Sequence, residues 1–129
     1  MSSSRILVVD DNEINLELAR CTLEAYGFAV DCATSAEHAR EQLRTRLPDL
    51  ILMDIQLPGT DGLEFTRELK RSSEFKHLPI IAFTAYAMAG DEQRFRAAGC
   101  DGYLGKPIDI KSFARQVAAF LEPGAPSAV

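Results

Sequence analysis

The sequence predicts an α/β domain built on a five-stranded parallel sheet with helices on both faces. One observation is that five strand-like aliphatic runs alternate with five helical stretches, the pattern of repeated β-α units joined by right-handed crossovers. A second is the run at residues 49–54, which has no polar face and is typical of a fully buried central strand. For a doubly wound sheet of five strands, we expect the order 2-1-3-4-5.

In the first half of the chain, turn and capping residues mark the element boundaries. Gly27 is a natural C-terminal stop for the first helix, and Ser35 is a good N-cap for the second. Pro48 separates that helix from the central strand. The predicted elements are strand 1 at 5–10, helix 1 at 13–26, strand 2 at 28–32, helix 2 from 35 to about 46, and strand 3 at 49–54.

The second half continues the same alternation. Asp61 with Glu64 three residues later resembles a capping box, and Asp109 is expected to cap the last helix. Helix 4 contains Gly90 and few large apolar residues, so we expect it to be weakly held and mobile. The predicted elements are helix 3 from 61 to about 71, strand 4 at 79–84, helix 4 near 87–98, strand 5 around 103–104, and helix 5 with Ile110, Phe113, Val117 and Phe120 or Leu121 on its inner face.

Composition limits the classes of function. The 129 residues suit one domain, expected at 5–122, with flexible termini at 1–4 and 123–129. A net charge of −5 gives no electrostatic basis for nucleic-acid binding, and no apolar run approaches the ~20 residues of a membrane span. The three widely spaced cysteines fit neither a disulfide framework nor a zinc site. With no visible signal peptide, a cytoplasmic protein with reduced thiols is expected.

Polar residues follow four of the predicted strands. Asp10 and Asp11 end strand 1, Asp54 ends strand 3, Thr84 ends strand 4, and Lys106 ends strand 5. Because open α/β sheets place their chemistry at the carboxyl ends of the strands, these side chains should converge in one shallow pocket. A single aspartate there would more often cap a loop, but four matching strand ends favour a functional site.

Such a pocket indicates phosphoryl chemistry with a divalent cation. At ~5 Å and an effective dielectric of about 20, each pair of carboxylates repels by roughly 3 kcal/mol, which one lysine cannot offset. Hard oxygen ligands favour Mg²⁺, for which Mn²⁺ can substitute. Thr84 and Lys106 add a hydroxyl and a positive charge for a phosphoryl group, and the central Asp54 is the candidate nucleophile. No GxxxxGK loop is present, so a nucleotide is not expected as direct donor, and His38 and His77 are expected at the surface without a role as base.

Taken together, these motifs resemble the receiver domain of bacterial two-component response regulators. The resemblance covers about residues 5–121, and its motifs are specific as a set. They are Val9-Asp10-Asp11, Met53-Asp54 with Pro58 and Gly62 behind it, Phe83-Thr84-Ala85, and Tyr103-Leu104-Gly105-Lys106-Pro107.

The resemblance implies a flavodoxin-like (CheY-like) fold and a phosphoacceptor role. Asp54 would receive the phosphoryl group from the phosphohistidine of a sensor histidine kinase or histidine phosphotransferase. Asp11, Asp54 and the backbone carbonyl of Gln56 would bind Mg²⁺ directly, and Asp10 would act through water. Thr84 and Lys106 would contact the phosphoryl group. Such a protein is not a turnover enzyme beyond its own phosphotransfer and slow autodephosphorylation.

The resemblance also implies a switch. Phosphorylation would draw Thr84 inward, and Tyr103 would fill the vacated space, altering the surface formed by helix 4, strand 5 and helix 5. Tyr103 as a simple packing residue of an edge strand is the alternative. The Lys106–Pro107 peptide would be cis, and Gln56 and Tyr86 occupy positions that influence the lifetime of the phosphate.

Helix 1 carries two apolar stripes, of which only one can face the sheet squarely. Alignment with receivers puts Leu18, Ala19, Thr22, Leu23 and Tyr26 inward. Ile14, Cys21 and Ala25 would then be exposed beside Asp54, as a docking surface for a histidine-bearing helix. A single broad buried face is the alternative, and the sequence does not decide between the two.

We expect a stand-alone receiver, monomeric or weakly dimeric, that switches contacts with a protein target the sequence does not identify. Helix 1 and Ile55-Gln56-Leu57-Pro58 are also similar to DivK-like single-domain regulators, although a receiver excised from a hybrid kinase or larger regulator would read the same way. Two rivals come from other classes. A metal-dependent phosphatase forming an aspartyl-phosphate needs a second acid where Gln56 stands, and a flavodoxin-like cofactor binder would find Asp10 and Asp11 repelling its phosphate.

Overall fold

The computed structural model describes residues 4–57, 61–85, 91–106 and 108–121. Five parallel strands form one sheet in the order β2-β1-β3-β4-β5, which confirms the predicted arrangement. The elements are β1 (Arg5–Val9), α1 (Glu13–Tyr26), β2 (Ala29–Ala33), α2 (Ala36–Thr45), β3 (Leu50–Asp54), α3 (Gly62–Arg71), β4 (Ile80–Thr84), α4 (Asp91–Ala98), β5 (Gly102–Gly105) and α5 (Phe113–Leu121).

Capping explains where the helices begin and end. The Asn12 side chain accepts a hydrogen bond from the backbone N–H of Asn15 at 3.0 Å, and the Ser35 hydroxyl accepts one from the N–H of His38 at 3.1 Å. Gly27 ends α1 with φ of 114°, a left-handed conformation that favours glycine. The Asp61 carboxylate accepts from the N–H of Leu63 at 2.9 Å and caps α3 as expected.

The central strand β3 is buried along its whole length, as the unbroken apolar run predicts. Successive residues point to opposite faces of the sheet. Leu50 and Leu52 therefore join the core packed beneath α1 and α5, and Ile51 and Met53 join the core beneath α2 and α3. A third, smaller cluster joins the end of β3 to α4 and β5.

Two side chains predicted to face inward are exposed. The α-helical part of α5 begins only at Phe113, because Asp109 first forms a capped turn with Lys111 and Ser112. Ile110 lies in that turn and is 65% exposed. Tyr26 in the last turn of α1 is 54% exposed, and Leu16, in neither predicted stripe, lies in the core instead.

Some predictions concern residues outside the described ranges. These are the roles of Pro58 and Tyr86, the start of helix 4, the Lys106–Pro107 peptide and most of both termini. Within the described ranges, none of the helices is at once long and apolar enough to cross a membrane.

Candidate functional site

Asp10 follows β1 and is fully buried at the carboxyl edge of the sheet. The backbone N–H of Asp10 donates to the carbonyl of Ala33 at 3.0 Å, which continues the pairing of β1 with β2. One carboxylate oxygen, Oδ1, accepts from the N–H of Asn12 at 2.9 Å. The other, Oδ2, accepts from the Asn15 side-chain amide at 3.4 Å. The chain thereby holds this acid with its second oxygen turned toward the site.

Asp54 is the last residue of β3 and is 5% exposed. Its Oδ1 accepts from the backbone N–H of Gln56 at 3.1 Å. Burial, which penalises the charged carboxylate, raises the pKa of Asp54 to about 6. The nearby Asp10 carboxylate also raises this pKa, whereas the Gln56 N–H and the Lys106 ammonium oppose the shift.

Lys106 connects the two buried acids. Its ammonium lies 2.8 Å from Asp10 Oδ2 and 3.5 Å from Asp54 Oδ2, so the shorter contact is to Asp10. The same nitrogen lies 5.1 Å from the centre of the Phe83 ring, a cation–π distance. The backbone N–H of Lys106 donates to the carbonyl of Thr84 at 2.8 Å, which fixes the residue at the end of β5.

Three carboxylates meet at this edge. One oxygen from each of Asp10, Asp11 and Asp54 lies within 4.8 Å of the other two. Asp11 is exposed while the other two are buried, so the cluster is open to solvent on one side. A single ammonium cannot neutralise three carboxylates at this spacing, and hard oxygen donors suit Mg²⁺. The residues present therefore fit a divalent cation, as the sequence predicts. The Gln56 carbonyl stays a predicted further ligand.

Thr84 and Tyr103 occupy the same face of the sheet on neighbouring strands. Tyr103 pairs with Ala82, and Thr84 pairs with Gly105, in the parallel register of β4 and β5. Thr84 is 2% exposed, and it comes directly after Phe83, the residue paired with Asp54. The Tyr103 ring lies 6.0 Å from the Phe95 ring of α4. This contact is expected if Tyr103 is a simple packing residue of an edge strand. It also means that a movement of the Tyr103 ring would change its contact with α4.

Two residues that the sequence predictions did not include contribute to the site. Asn15 holds Asp10, and its position three residues after the N-cap Asn12 is the signal that could have revealed it. Arg94 of α4 lines a cavity of about 360 Å³ beside Thr84. The other described residues lining this cavity are Ile55, Gln56, Leu57, Asp61 and Leu63.

The proposed docking stripe on α1 is exposed. Ile14 is 77% exposed, and Cys21 and Ala25 are also exposed, so the alternative of one broad buried face is wrong. The two histidines take no part in the acidic site. His77 is exposed after α3, and the half-buried His38 contacts Thr34 and Gln42 around α2.

Comparison with known proteins agrees with this geometry. The family model for the response regulator receiver domain matches residues 6–118. The chain is 45% identical over 116 residues to the polar-differentiation response regulator DivK of Brucella ovis, covering 90% of this chain and 94% of that protein.

Two solved structures show the same fold. The receiver domain of the sensor histidine kinase PA1611 from Pseudomonas aeruginosa, solved with a magnesium ion coordinated in its active-site cleft, is 32% identical with a TM-score of 0.82. That match covers 93% of this chain and 98% of the other. The chemotaxis response regulator CheY4 of Vibrio cholerae is 25% identical with a TM-score of 0.85, over 91% of this chain and 98% of the other.

Proposed function

The chain belongs to the response regulator receiver domain family, and we propose that it accepts a phosphoryl group on Asp54 from a protein phosphohistidine. The observation that carries this proposal is the buried Asp54 carboxylate, with oxygens of Asp10 and Asp11 within 4.8 Å and the Lys106 ammonium at 3.5 Å. The donor would be a sensor histidine kinase or a histidine phosphotransferase, which makes the cytoplasm the expected location. The protein is a signalling module whose expected chemistry is its own phosphorylation and slow autodephosphorylation.

In the proposed reaction, an oxygen of Asp54 forms a bond to phosphorus, and the N–P bond of the phosphohistidine breaks. The histidine nitrogen leaves with the electron pair, so Asp54 needs no general base. Because its pKa is about 6, Asp54 is mostly ionised near neutral pH and is ready to attack.

The surrounding residues would bind and orient the transferred group. Lys106 would shift from its contact with Asp10 toward a phosphoryl oxygen, and the Thr84 hydroxyl would donate to another. Asp11 and Asp54, with the Gln56 carbonyl, would hold Mg²⁺ directly, and Asp10 would assist through water. The bound ion would neutralise charge on the phosphoryl oxygens.

The signal would leave the site through Thr84 and Tyr103. The two side chains share one face of the sheet, two register positions apart on adjacent strands. Movement of Thr84 toward the phosphoryl group would open space for Tyr103, and the Phe95 contact would pass the change to α4. Phosphorylation must stabilise one arrangement over the other, since equal stabilisation would shift no population.

Docking of the phosphodonor would use the exposed stripe of Ile14, Cys21 and Ala25 on α1. This helix begins two residues after Asp11, so its N-terminal end lies beside the acidic cluster. A histidine-bearing helix laid along the stripe would present its phosphohistidine to Asp54.

The direct test is incubation with acetyl phosphate and Mg²⁺, followed by intact-mass measurement. The wild-type protein should gain one acid-labile phosphoryl group, and Asp54→Asn should gain none. Asp49→Asn is the matched control, because Asp49 is exposed and its carboxylate accepts from the N–H of Arg5 at the start of β1, at the opposite end of the strands from Asp54. Unchanged uptake by Asp54→Asn would move the acceptor elsewhere. Sustained turnover of a phosphomonoester would instead support a phosphatase.

A further inference from the structure

A groove of about 280 Å³ separates α1 from the start of α5, far enough from the acidic cluster to share none of its residues. Two large apolar side chains at this groove are open to solvent, Tyr26 at 54% and Ile110 at 65% exposure. The lining residues are Thr22, Ala25, Tyr26, Ile110, Lys111, Ala114 and Arg115. The groove continues into the docking stripe through Ala25, which belongs to both. Together they form one apolar surface that nothing in the described chain covers.

The α5 side of this surface is basic. Lys111 and Arg115 are exposed and lie one helical turn apart, and Arg115 donates to the carbonyl of Lys111 at 3.3 Å. Neither side chain forms an ion pair with any carboxylate in the described ranges. The Asp109 carboxylate accepts from the backbone N–H of Lys111 at 3.1 Å, so one acid lies at this edge beside the two cations. With two cations and one acid, the described part of this edge carries a net positive charge.

The opposite side is acidic. With about 100° of rotation per residue, the side chains of Glu13, Glu17 and Glu24 lie on one side of α1. The docking stripe lies between these acids and α5. Glu17 pairs with Arg20, which leaves the flank with a net negative charge. Glu17 and Glu24 also lie close enough to Cys32 of β2 to add to the rise in the pKa of its thiol, which burial dominates. This places Glu17 and Glu24 on the β2 side of α1, away from the groove.

We propose that a second copy of this chain covers this surface, with a two-fold axis running parallel to α1. Across the two helices, the surface is basic on the α5 side, apolar in the groove and stripe, and acidic on the far side of α1. Rotation about an axis along α1 exchanges the two edges, so each basic edge of Lys111 and Arg115 meets the acidic edge of the other copy. A two-fold axis across α1 would instead set basic edge against basic edge. The charge pattern is thus self-complementary in one orientation only.

The contact would have a regulatory consequence, which rests on the proposed docking role of α1. A second copy covering Ala25 and Cys21 would exclude a histidine-bearing helix from the same stripe. Association would therefore compete with phosphorylation by a protein donor. It would leave acetyl phosphate able to reach Asp54, because the acidic cluster is outside the covered surface.

Sedimentation analysis of the full chain from about 10 μM to about 1 mM tests the contact. We expect a dimer whose population rises with protein concentration. Its affinity should fall as the salt concentration is raised, because salt screens the exposed ion pairs at its edges. Reversing the α5 edge with Lys111→Glu and Arg115→Glu should weaken association at least about tenfold, and so should Glu17→Lys with Glu24→Lys. Combining all four reversals restores opposite charges across the contact and should recover the dimer.

The matched control is Arg44→Glu with Arg46→Glu, which changes net charge equally at an exposed site on and after α2. This pair should leave the dimer nearly intact. A wild-type chain that stays monomeric throughout, or a dimer that the edge reversals do not weaken, would overturn the proposal. If the edge reversals impair only transfer from a histidine phosphotransferase, the surface serves a foreign partner. Acetyl phosphate uptake, measured on the same variants, tests the phosphoacceptor role independently.

Discussion

Gly62 lies directly against the backbone of Asp54. A Cβ atom on residue 62 would stand 2.1 Å from the Asp54 carbonyl oxygen and 2.8 Å from the Cα of Ile55. The N–H of Gly62 also donates to the carbonyl of Ile55 at 2.8 Å. The first residue of α3 thus packs against the end of β3, and this contact holds the backbone that carries Asp54, the proposed phosphoacceptor.

Gly62→Ala should therefore disturb both stability and the site. The added methyl must displace backbone atoms, so we expect a loss of about 3 kcal/mol in the free energy of unfolding, together with weaker Mg²⁺ binding. Urea denaturation and calorimetric titration measure the two effects. Gly27→Ala is the control, since its Cβ would meet nothing within 4 Å and only its φ of 114° is unfavourable. It should cost about 1 kcal/mol and leave metal binding unchanged. Equal behaviour of the two variants would contradict the proposed contact.

Ionisation of Asp54 should destabilise the metal-free protein. The pKa of Asp54 is about 6 in the folded chain and about 3.9 in the unfolded chain. The stability that Asp54 contributes to the fold is therefore fully present below about pH 4 and is lost as pH rises through 6. Asp54→Asn should thus exceed the wild type in stability by up to about 3 kcal/mol near pH 7.5, and the difference should vanish toward pH 4. Urea denaturation with a chelator present measures this, and a difference independent of pH would refute the assignment. Saturating Mg²⁺ should reduce the stability difference between Asp54→Asn and the wild type near neutral pH.

Asp11→Asn should lower the affinity for Mg²⁺ by roughly tenfold to a hundredfold, because Asp11 is the exposed member of the carboxylate cluster and a direct ligand in the proposal. Calorimetry with Mg²⁺, or electron paramagnetic resonance with Mn²⁺, gives the affinity. Glu74→Gln removes the same charge from an exposed position after α3 and should leave the affinity unchanged. If both variants bind the ion as the wild type does, Asp11 is not a ligand.

Lys106→Ala should separate metal binding from switching. The ammonium contacts Asp10 at 2.8 Å and Asp54 at 3.5 Å, so its loss leaves two buried acids without a cation. We expect the metal-free protein to lose about 2 kcal/mol or more of stability near neutral pH, while Mg²⁺ binding is largely retained. Phosphorylation should then no longer shift the NMR signal of isotopically labelled Tyr103. A full shift in this variant would break the proposed coupling.

Lys70 should stabilise the edge of the sheet opposite the site. Its ammonium donates to the carbonyl of Leu78 at 2.8 Å and to Asp101 Oδ2 at 2.9 Å, and the same Asp101 oxygen accepts from the N–H of Ile80 at 2.9 Å. Lys70→Met should cost about 1–3 kcal/mol in thermal or urea unfolding, because carbonyl and carboxylate lose a charged donor. Lys76→Met is the control and should be nearly neutral, because Lys76 is exposed and its hydrogen bonds to Lys70 and Ser72 use backbone atoms that the substitution keeps.

The sequence by itself determined the order of the elements and the identity of the acidic site. An unbroken apolar run requires burial on both faces, so β3 had to be central, and parallel strands bring their carboxyl ends to one edge. Asp10, Asp54 and Lys106 could therefore be placed together before any distance was known. Capping residues act on the nearest turn, which is why the bounds of α1 could be predicted to the residue.

Only the tertiary structure decided how those elements meet. Helical periodicity says which residues share a face of α1, but packing against the sheet decided that Leu16 is buried while Tyr26 and the Ile14 stripe stay exposed. Packing also decided that the Asn15 amide donates to Asp10 and that Gly62 lies against the backbone of Asp54, because each contact joins two different elements. Local sequence patterns encode the geometry of a single helix or strand, whereas these positions depend on how separate elements pack against one another, which the packing of the whole domain sets.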